Sequence, residues 1–128
     1  MTPFGQRVRE LRVQRGVTQA QMAEVLGVTP AYLSALEHGK RGRPTFTLIQ
    51  GVIHVLGVIW DEADELVRLA DLSHPRVVVD TAGLEPNATL LANRLAREIG
   101  VLEADALQRL AAVLDDAVAA RAMADKPA

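Results

Sequence analysis

The stretch from Gly16 to Pro44 constrains this chain most. Thr18 opens one short helical run that stops at Gly27, and Thr29 opens a second that stops at Gly39. Each threonine is a good N-cap, because its hydroxyl can accept from an otherwise unpaired N–H of the first turn. Pro30 stands at the first helical position, where a missing N–H costs nothing. Only Gly27-Val28-Thr29 joins the two runs. So short a connection admits only a sharp corner between two helices, with glycine supplying a positive φ. Met22, Ala23 and Leu26 form the inner face of the first run, and Leu33 and Leu36 that of the second.

The apolar period is helical in the remaining segments too. Phe4, Val8 and Leu11 predict a helix that stops at Gly16. A fourth begins near Thr45, carries Leu48, Ile49, Val52, Ile53 and Leu56, and stops at Gly57. A fifth runs from about Asp61 with Ala63, Leu66, Val67 and Ala70 on one face. Asp61, Glu62 and Asp64 in its first turn suit the helix dipole. The period breaks over residues 73–87, where Pro75, Gly83 and Pro86 bracket Val77-Val78-Val79, a linker or one short extended segment. Pro86 or Asn87 opens a helix with Leu91, Ala92, Leu95 and Ile99, which Gly100 ends. The last helix runs from about Glu103 into the 120s, and the tail after Ala122 is expected to fray. The expected organisation is all-α: a five-helix domain over residues 1–72, a linker over 73–87 and a two-helix region over 88–122. A chain of 128 residues suits one small domain with an appendage. Aromatic residues are 3%, so the core must be aliphatic.

Several function classes fall away on composition. There is no cysteine, which removes disulfides, thiolate catalysis and cysteine-based zinc sites and suits a reducing cytosol. The opening MTPFGQRVRE carries charges where a secretion signal needs an apolar stretch. The longest charge-free run, Pro44 to Trp60, is 17 residues and includes Thr, Gln, His and two Gly. A membrane span wants ~20 mostly apolar residues. His38, His54 and His74 lack metal-ligand spacing, and the Asp61–Glu65 acidic run lacks a looped geometry for a divalent cation, so it reads as a solvated helix face. No phosphate-cradling glycine loop occurs. Trp60, the one tryptophan, is expected to plug the junction of the fourth and fifth helices. No catalytic residue, metal or cofactor is expected.

Read as T-Q-x-x-M-A-x-x-L-G-V-T-x-x-x-L-S-x-x-E-x-G-K-R, the constraining stretch resembles the helix-turn-helix family of lambdoid phage repressors and Cro, the Xre family. Thr18, Gln19, Met22, Ala23, Leu26, Gly27, Val28, Thr29, Leu33, Ser34, Glu37, Gly39, Lys40 and Arg41 carry the match, which extends over roughly residues 4–60. The resemblance implies a five-helix, lambda-repressor-like domain and a bacterial, cytoplasmic, nucleoid-associated regulator that binds a double-stranded DNA operator. It implies that the helix over residues 29–38 enters the major groove, with Thr29, Pro30, Ala31, Tyr32, Ser34, Ala35 and His38 facing the bases. It also implies phosphate contacts from Thr18 and Gln19 at a helix N-terminus and from Lys40, Arg41 and Arg43 in the loop behind. Arg12 and Glu37 match positions that pair as a semi-buried salt bridge. Family members can carry a basic residue at the position of Thr45 that enters the minor groove; Thr45 cannot, which leaves the neighbouring Arg43. Pro30, Ala31 and Ala35 replace the glutamines of other members and offer only apolar contact to a thymine methyl, so readout is expected to lean on DNA shape. Ala82-Gly83 resembles the scissile dipeptide of self-cleaving repressors, but the peptidase chemistry needs a lysine, and beyond residue 50 only Lys126 is available.

Charge agrees with a polyanion partner for the front of the chain. Residues 1–50 hold seven basic and three acidic residues, +4, whereas residues 51–128 hold seven basic and thirteen acidic, −6. One helix-turn-helix unit buries few base contacts, so a homodimer on a two-fold operator is expected. Leu107, Leu110, Leu114 and Val118 repeat at near-heptad spacing, and Leu91, Leu95 and Ile99 could complete a four-helix seam. The alternative is an antitoxin or protein-binding adaptor whose front half autoregulates.

Overall fold

A computed structural model describes residues 1–126 and divides the chain into two units, Met1–Val78 and Val79–Ala128. The first unit holds α1 (Pro3–Arg15), α2 (Gln19–Leu26), α3 (Pro30–Glu37), α4 (Phe46–Leu56) and α5 (Trp60–Asp71). Thr2, Thr18, Thr29 and Thr45 cap the first four helices, each hydroxyl accepting from a first-turn N–H. Thr18 and Gln21 complete a reciprocal capping box. Gly27 turns the corner between α2 and α3 at φ 71°, the left-handed conformation the short connection demands.

Phe4, Val8 and Leu11 of α1, Met22 and Ala23 of α2, Leu33 and Leu36 of α3, Ile49, Val52 and Leu56 of α4, and Leu66 and Ala70 of α5 form one buried core. Burial of each large aliphatic or aromatic side chain contributes ~1.5–3 kcal/mol. Val58, not Trp60, fills the junction between α4 and α5. The expected plug is thus corrected: Trp60 is 81% exposed and sits at φ 53°. The short Gly57-Val58-Ile59 connection turns Val58 inward, and its neighbour Trp60 is left facing out.

The expected Arg12–Glu37 pair is present, and the structure adds contacts around it and at Ser73 that the sequence does not announce. A Cβ on Gly5 would lie 2.2 Å from the Glu37 carbonyl oxygen, so α1 crosses the end of α3 at a distance only glycine allows. Glu37 is the hub of that crossing. Its carboxylate, 2% exposed, accepts from Arg12 Nη2 at 3.3 Å and from Gln19 Nε2 at 3.2 Å, while its carbonyl accepts from Thr2 N–H at 2.9 Å. One side chain therefore sets α1, α2 and α3 relative to each other, and removing one partner of such a buried pair typically costs ~3–5 kcal/mol. Ser73, at the head of the expected linker, is buried. Its Oγ accepts from Phe4 N–H at 2.9 Å and donates to the Leu69 carbonyl, joining the start of α1 to the end of α5.

The acidic face of α5 stays open to solvent, as expected, and also carries ion pairs. Arg7 and Arg15 of α1 reach Glu62 and Glu65 at 3.7–3.8 Å.

The second unit holds α6 (Pro86–Glu98), a 3₁₀ turn at Ile99–Val101 and α7 (Ala104–Ala124). Pro86 is the first residue of α6, and Glu103 precedes α7 in extended conformation. Residues 77–79 form no strand. α7 continues two residues past Ala122, and the last part of the expected fraying, residues 127–128, lies outside the described residues. No residue of α6, the 3₁₀ turn or α7 is buried.

Candidate nucleic-acid interface

α3 turns Leu33, Leu36 and Glu37 into the protein and leaves the opposite side accessible. Thr29, Pro30, Ala31 and His38 are exposed; Tyr32, Ser34 and Ala35 are half-buried. These seven form a continuous surface along α3, with a polar group at each end. The Thr29 hydroxyl is used in the cap, accepting from Tyr32 N–H at 3.0 Å. His38 Nδ1 lies 2.8 Å from the Ser34 carbonyl, which can only accept, so Nδ1 carries a proton and Nε2 is the free position.

The polar residues at the start of α2 face the same region. Gln19, Ser34 and His38 share a groove of about 360 Å³ with Arg9 and Arg12. Gln19 is aimed by its bond to Glu37, whose other oxygen holds Arg12. Glu37 also lines this groove, but Arg12 neutralises its carboxylate, so an anion there meets the N-terminus of α2, the Gln19 amide and the unpaired Arg9 guanidinium, a combination suited to phosphate. Arg9 carries no recognisable motif signal; only the packing of α1 beside α2 and α3 brings it here. The Thr18 hydroxyl oxygen accepts in the capping box, which leaves its O–H hydrogen and the helix end for an anion.

The loop after α3 is less uniform than its basic sequence suggests. Arg43 donates from Nε to Asp71 Oδ1 at 3.0 Å, from Nη2 to the same oxygen, and from Nη1 to the Pro44 carbonyl. It is thereby tied to the end of α5. Arg41 instead lies over the ring of Tyr32, 5.3 Å from its centroid, and Lys40 is exposed. Of the seven basic residues in 1–50, Arg7, Arg12, Arg15 and Arg43 pair with carboxylates among the described residues. Arg9, Lys40 and Arg41 do not. Three of the seven front-half cations thus lack a carboxylate partner among the described residues and border α3, a placement that a summed charge could not give.

Among the described residues no helix is long and apolar enough to cross a membrane, and no three His, Asp or Glu side chains group as metal ligands.

Residues 3–72 match the family model described as a helix-turn-helix domain. RghRB of Bacillus subtilis (strain 168), an uncharacterized HTH-type transcriptional regulator, is 43% identical over 61 residues, covering 48% of this chain and 44% of that protein. The HTH-type transcriptional repressor RghR of the same organism is 36% identical over 61 residues, 48% of this chain and 45% of the relative. RamB of Mycobacterium tuberculosis, an HTH-type transcriptional regulator, is 40% identical over 57 residues, 44% of this chain and 12% of the relative. Each of these matches spans less than half of the relative's own length. No solved structure matches the chain. The matched span contains α1 to α5, the tight corner at Gly27 and the accessible side of α3, and the chain belongs to the helix-turn-helix domain family, in its Xre-like group.

Proposed function

We propose that this protein is a sequence-specific transcription regulator that binds double-stranded DNA and acts as a repressor by covering a promoter. The observation that carries the reading is the arrangement around α3: an accessible helix face bordered by Arg9, Gln19, Lys40 and Arg41. A helix of this width fits the major groove, while flanking cations neutralise phosphates on either side. The name of RghR supports repression. Thr29, Tyr32, Ser34 and His38 supply polar contacts to bases, and Pro30, Ala31 and Ala35 supply apolar ones. Gln19, the helix end at Thr18, Arg9, Lys40 and Arg41 grip the backbone. Arg43 joins them only by giving up Asp71.

The protein binds a two-fold operator as a homodimer, in this reading, through the second unit. Leu91, Leu95, Ile99, Leu107, Leu110, Leu114 and Val118 are all exposed in a single copy. Leu91, Leu95 and Leu110 border one cleft of about 250 Å³, with the Arg94–Glu98 ion pair at its rim. A surface so rich in Leu and Val calls for a partner, and a second copy also supplies the second α3 that operator binding needs. The same face favours the adaptor reading if a different protein covers it.

Selection of bound duplexes from a random library by the full chain tests the function. Recovery of an inverted repeat with half-sites about 10 bp apart, or a multiple of that, is expected. Recovery of no motif overturns it. Recovery of a single half-site, with a monomer in sedimentation, retains DNA binding and removes the homodimer.

A further inference from the structure

Arg41 and Tyr32 form a contact that neither residue's separate role accounts for. Tyr32 is the protein's one tyrosine and the third residue of α3, close to the end that faces bases in the reading above. Its half-buried ring borders a groove of about 350 Å³ with Val25, Val28, Thr45 and Leu48. The Arg41 guanidinium sits over this ring at 5.3 Å, within the range where a cation is attracted to the ring face. Gly39 and Gly42, at φ 79° and 75°, bracket Lys40-Arg41 and fold the loop back along α3, and Lys40 N–H fixes it to the Ala35 carbonyl at 2.8 Å. Arg41 has no carboxylate partner among the described residues, so its head and the Tyr32 ring restrain each other. Arg43, two residues on, is held elsewhere by Asp71.

We propose that Arg41 is a positioning residue for base reading: its guanidinium fixes the Tyr32 side chain, so that the base preference set by Tyr32 depends on Arg41. This rests on the DNA-binding reading and deepens it. A phosphate-gripping cation alone carries no sequence information. A cation that also clamps a reading side chain passes sequence dependence through that side chain, because a tyrosine held in one rotamer discriminates better than one free to move off the base edge. The planar head matters as well as the charge. Lysine supplies a point charge that reaches a phosphate but does not stack as guanidinium does.

The test compares full-length wild type with Arg41→Ala, Arg41→Lys, Tyr32→Leu and the Tyr32→Leu/Arg41→Ala double variant, each selected on random duplexes and titrated against salt. Arg41→Ala is expected to relax preference about three- to tenfold at the same base pair that Tyr32→Leu relaxes, and the double variant should lose no more preference there. Arg41→Lys is expected to keep the salt slope yet relax that preference. NMR of the free protein gives a readout independent of DNA: the Arg41 δ-protons should be shifted upfield by the Tyr32 ring, and Tyr32→Leu should abolish the shift. An unchanged motif in Arg41→Ala, with only weaker binding and a salt slope lower by about one, overturns the positioning role and leaves DNA binding intact. An absent ring shift overturns the contact itself. A wild type that selects no motif overturns both this inference and the function it rests on.

Discussion

The two units of this protein are built from the same apolar residues and reach opposite outcomes. In Met1–Val78, leucines, valines and isoleucines spaced at the helical period close around one core. In the second unit, helices with an equally regular period leave no residue fully buried. The difference lies in the number of faces available. Five short helices joined by tight corners can each find two or three neighbours within the chain. Two helices joined by a 3₁₀ turn can cover each other on one side only, and a unit of about 50 residues rarely buries enough surface to stand alone. Periodicity therefore reports that a helix has a face to cover, and the number of other faces within reach decides whether this chain covers it.

The most disruptive substitutions lie in the second unit. Leu110→Asp with Leu114→Asp places two carboxylates in the proposed seam, where they lose their hydration. We expect a monomer in analytical ultracentrifugation and at least a hundredfold weaker operator binding, with unfolding of the first unit unchanged. A dimer that persists shows that the seam lies elsewhere.

Next comes Gly5→Ala in the first unit. A methyl directed at the Glu37 carbonyl cannot be relieved by a side-chain rotation, so α1 must shift. We expect a loss of about 3 kcal/mol or more, a fall of roughly 12–24 °C in Tm for a domain of this size. A calorimetric Tm within about 2 °C of wild type contradicts the close crossing.

Ser73 sharpens where the first unit ends. A truncation after Val78 should unfold with the stability of the first unit and sediment as a monomer. A truncation after Leu72, or Ser73→Ala, leaves the buried Phe4 N–H unpaired and should cost about 1–3 kcal/mol in chemical denaturation. Equal stability of the two truncations removes that role.

The smallest expected effect is electrostatic. Asp71→Asn should release Arg43 toward the DNA backbone, raising affinity about two- to fivefold at low salt and steepening the salt slope by about one. In the wild type, Arg43→Ala should change affinity less than Lys40→Ala or Arg41→Ala. Titrations at several salt concentrations decide it, and a wild-type slope for Asp71→Asn shows that the pair does not restrain Arg43.

Local chemistry explains why so much of the first unit can be read along the chain. A threonine hydroxyl at residue 18, 29 or 45 acts on an N–H two or three residues away. Leu33 and Leu36 choose their face by helix geometry alone. The family match at residues 18–41 likewise lies within one contiguous stretch. Arg9, Asp71 and Ser73 were silent because each acts on a partner distant in sequence. Gly5 is silent in the same way, because its close approach is to the Glu37 carbonyl, far along the chain. Trp60 departs from its expected place because the turn that presents it, not its bulk, fixes which way it points.

The all-helical class, the tight corner at Gly27, the caps and the family resemblance over roughly residues 4–60 are all legible in the sequence, since they follow from neighbours within about one helical turn or from one unbroken motif. Packing in three dimensions set which of the seven front-half cations lack a carboxylate among the described residues, that Gln19 joins the expected Arg12–Glu37 pair, and that Arg41 rests on Tyr32. Charge pairing and close approach depend on distances through space, and those are set by how the helices pack, not by their order along the chain.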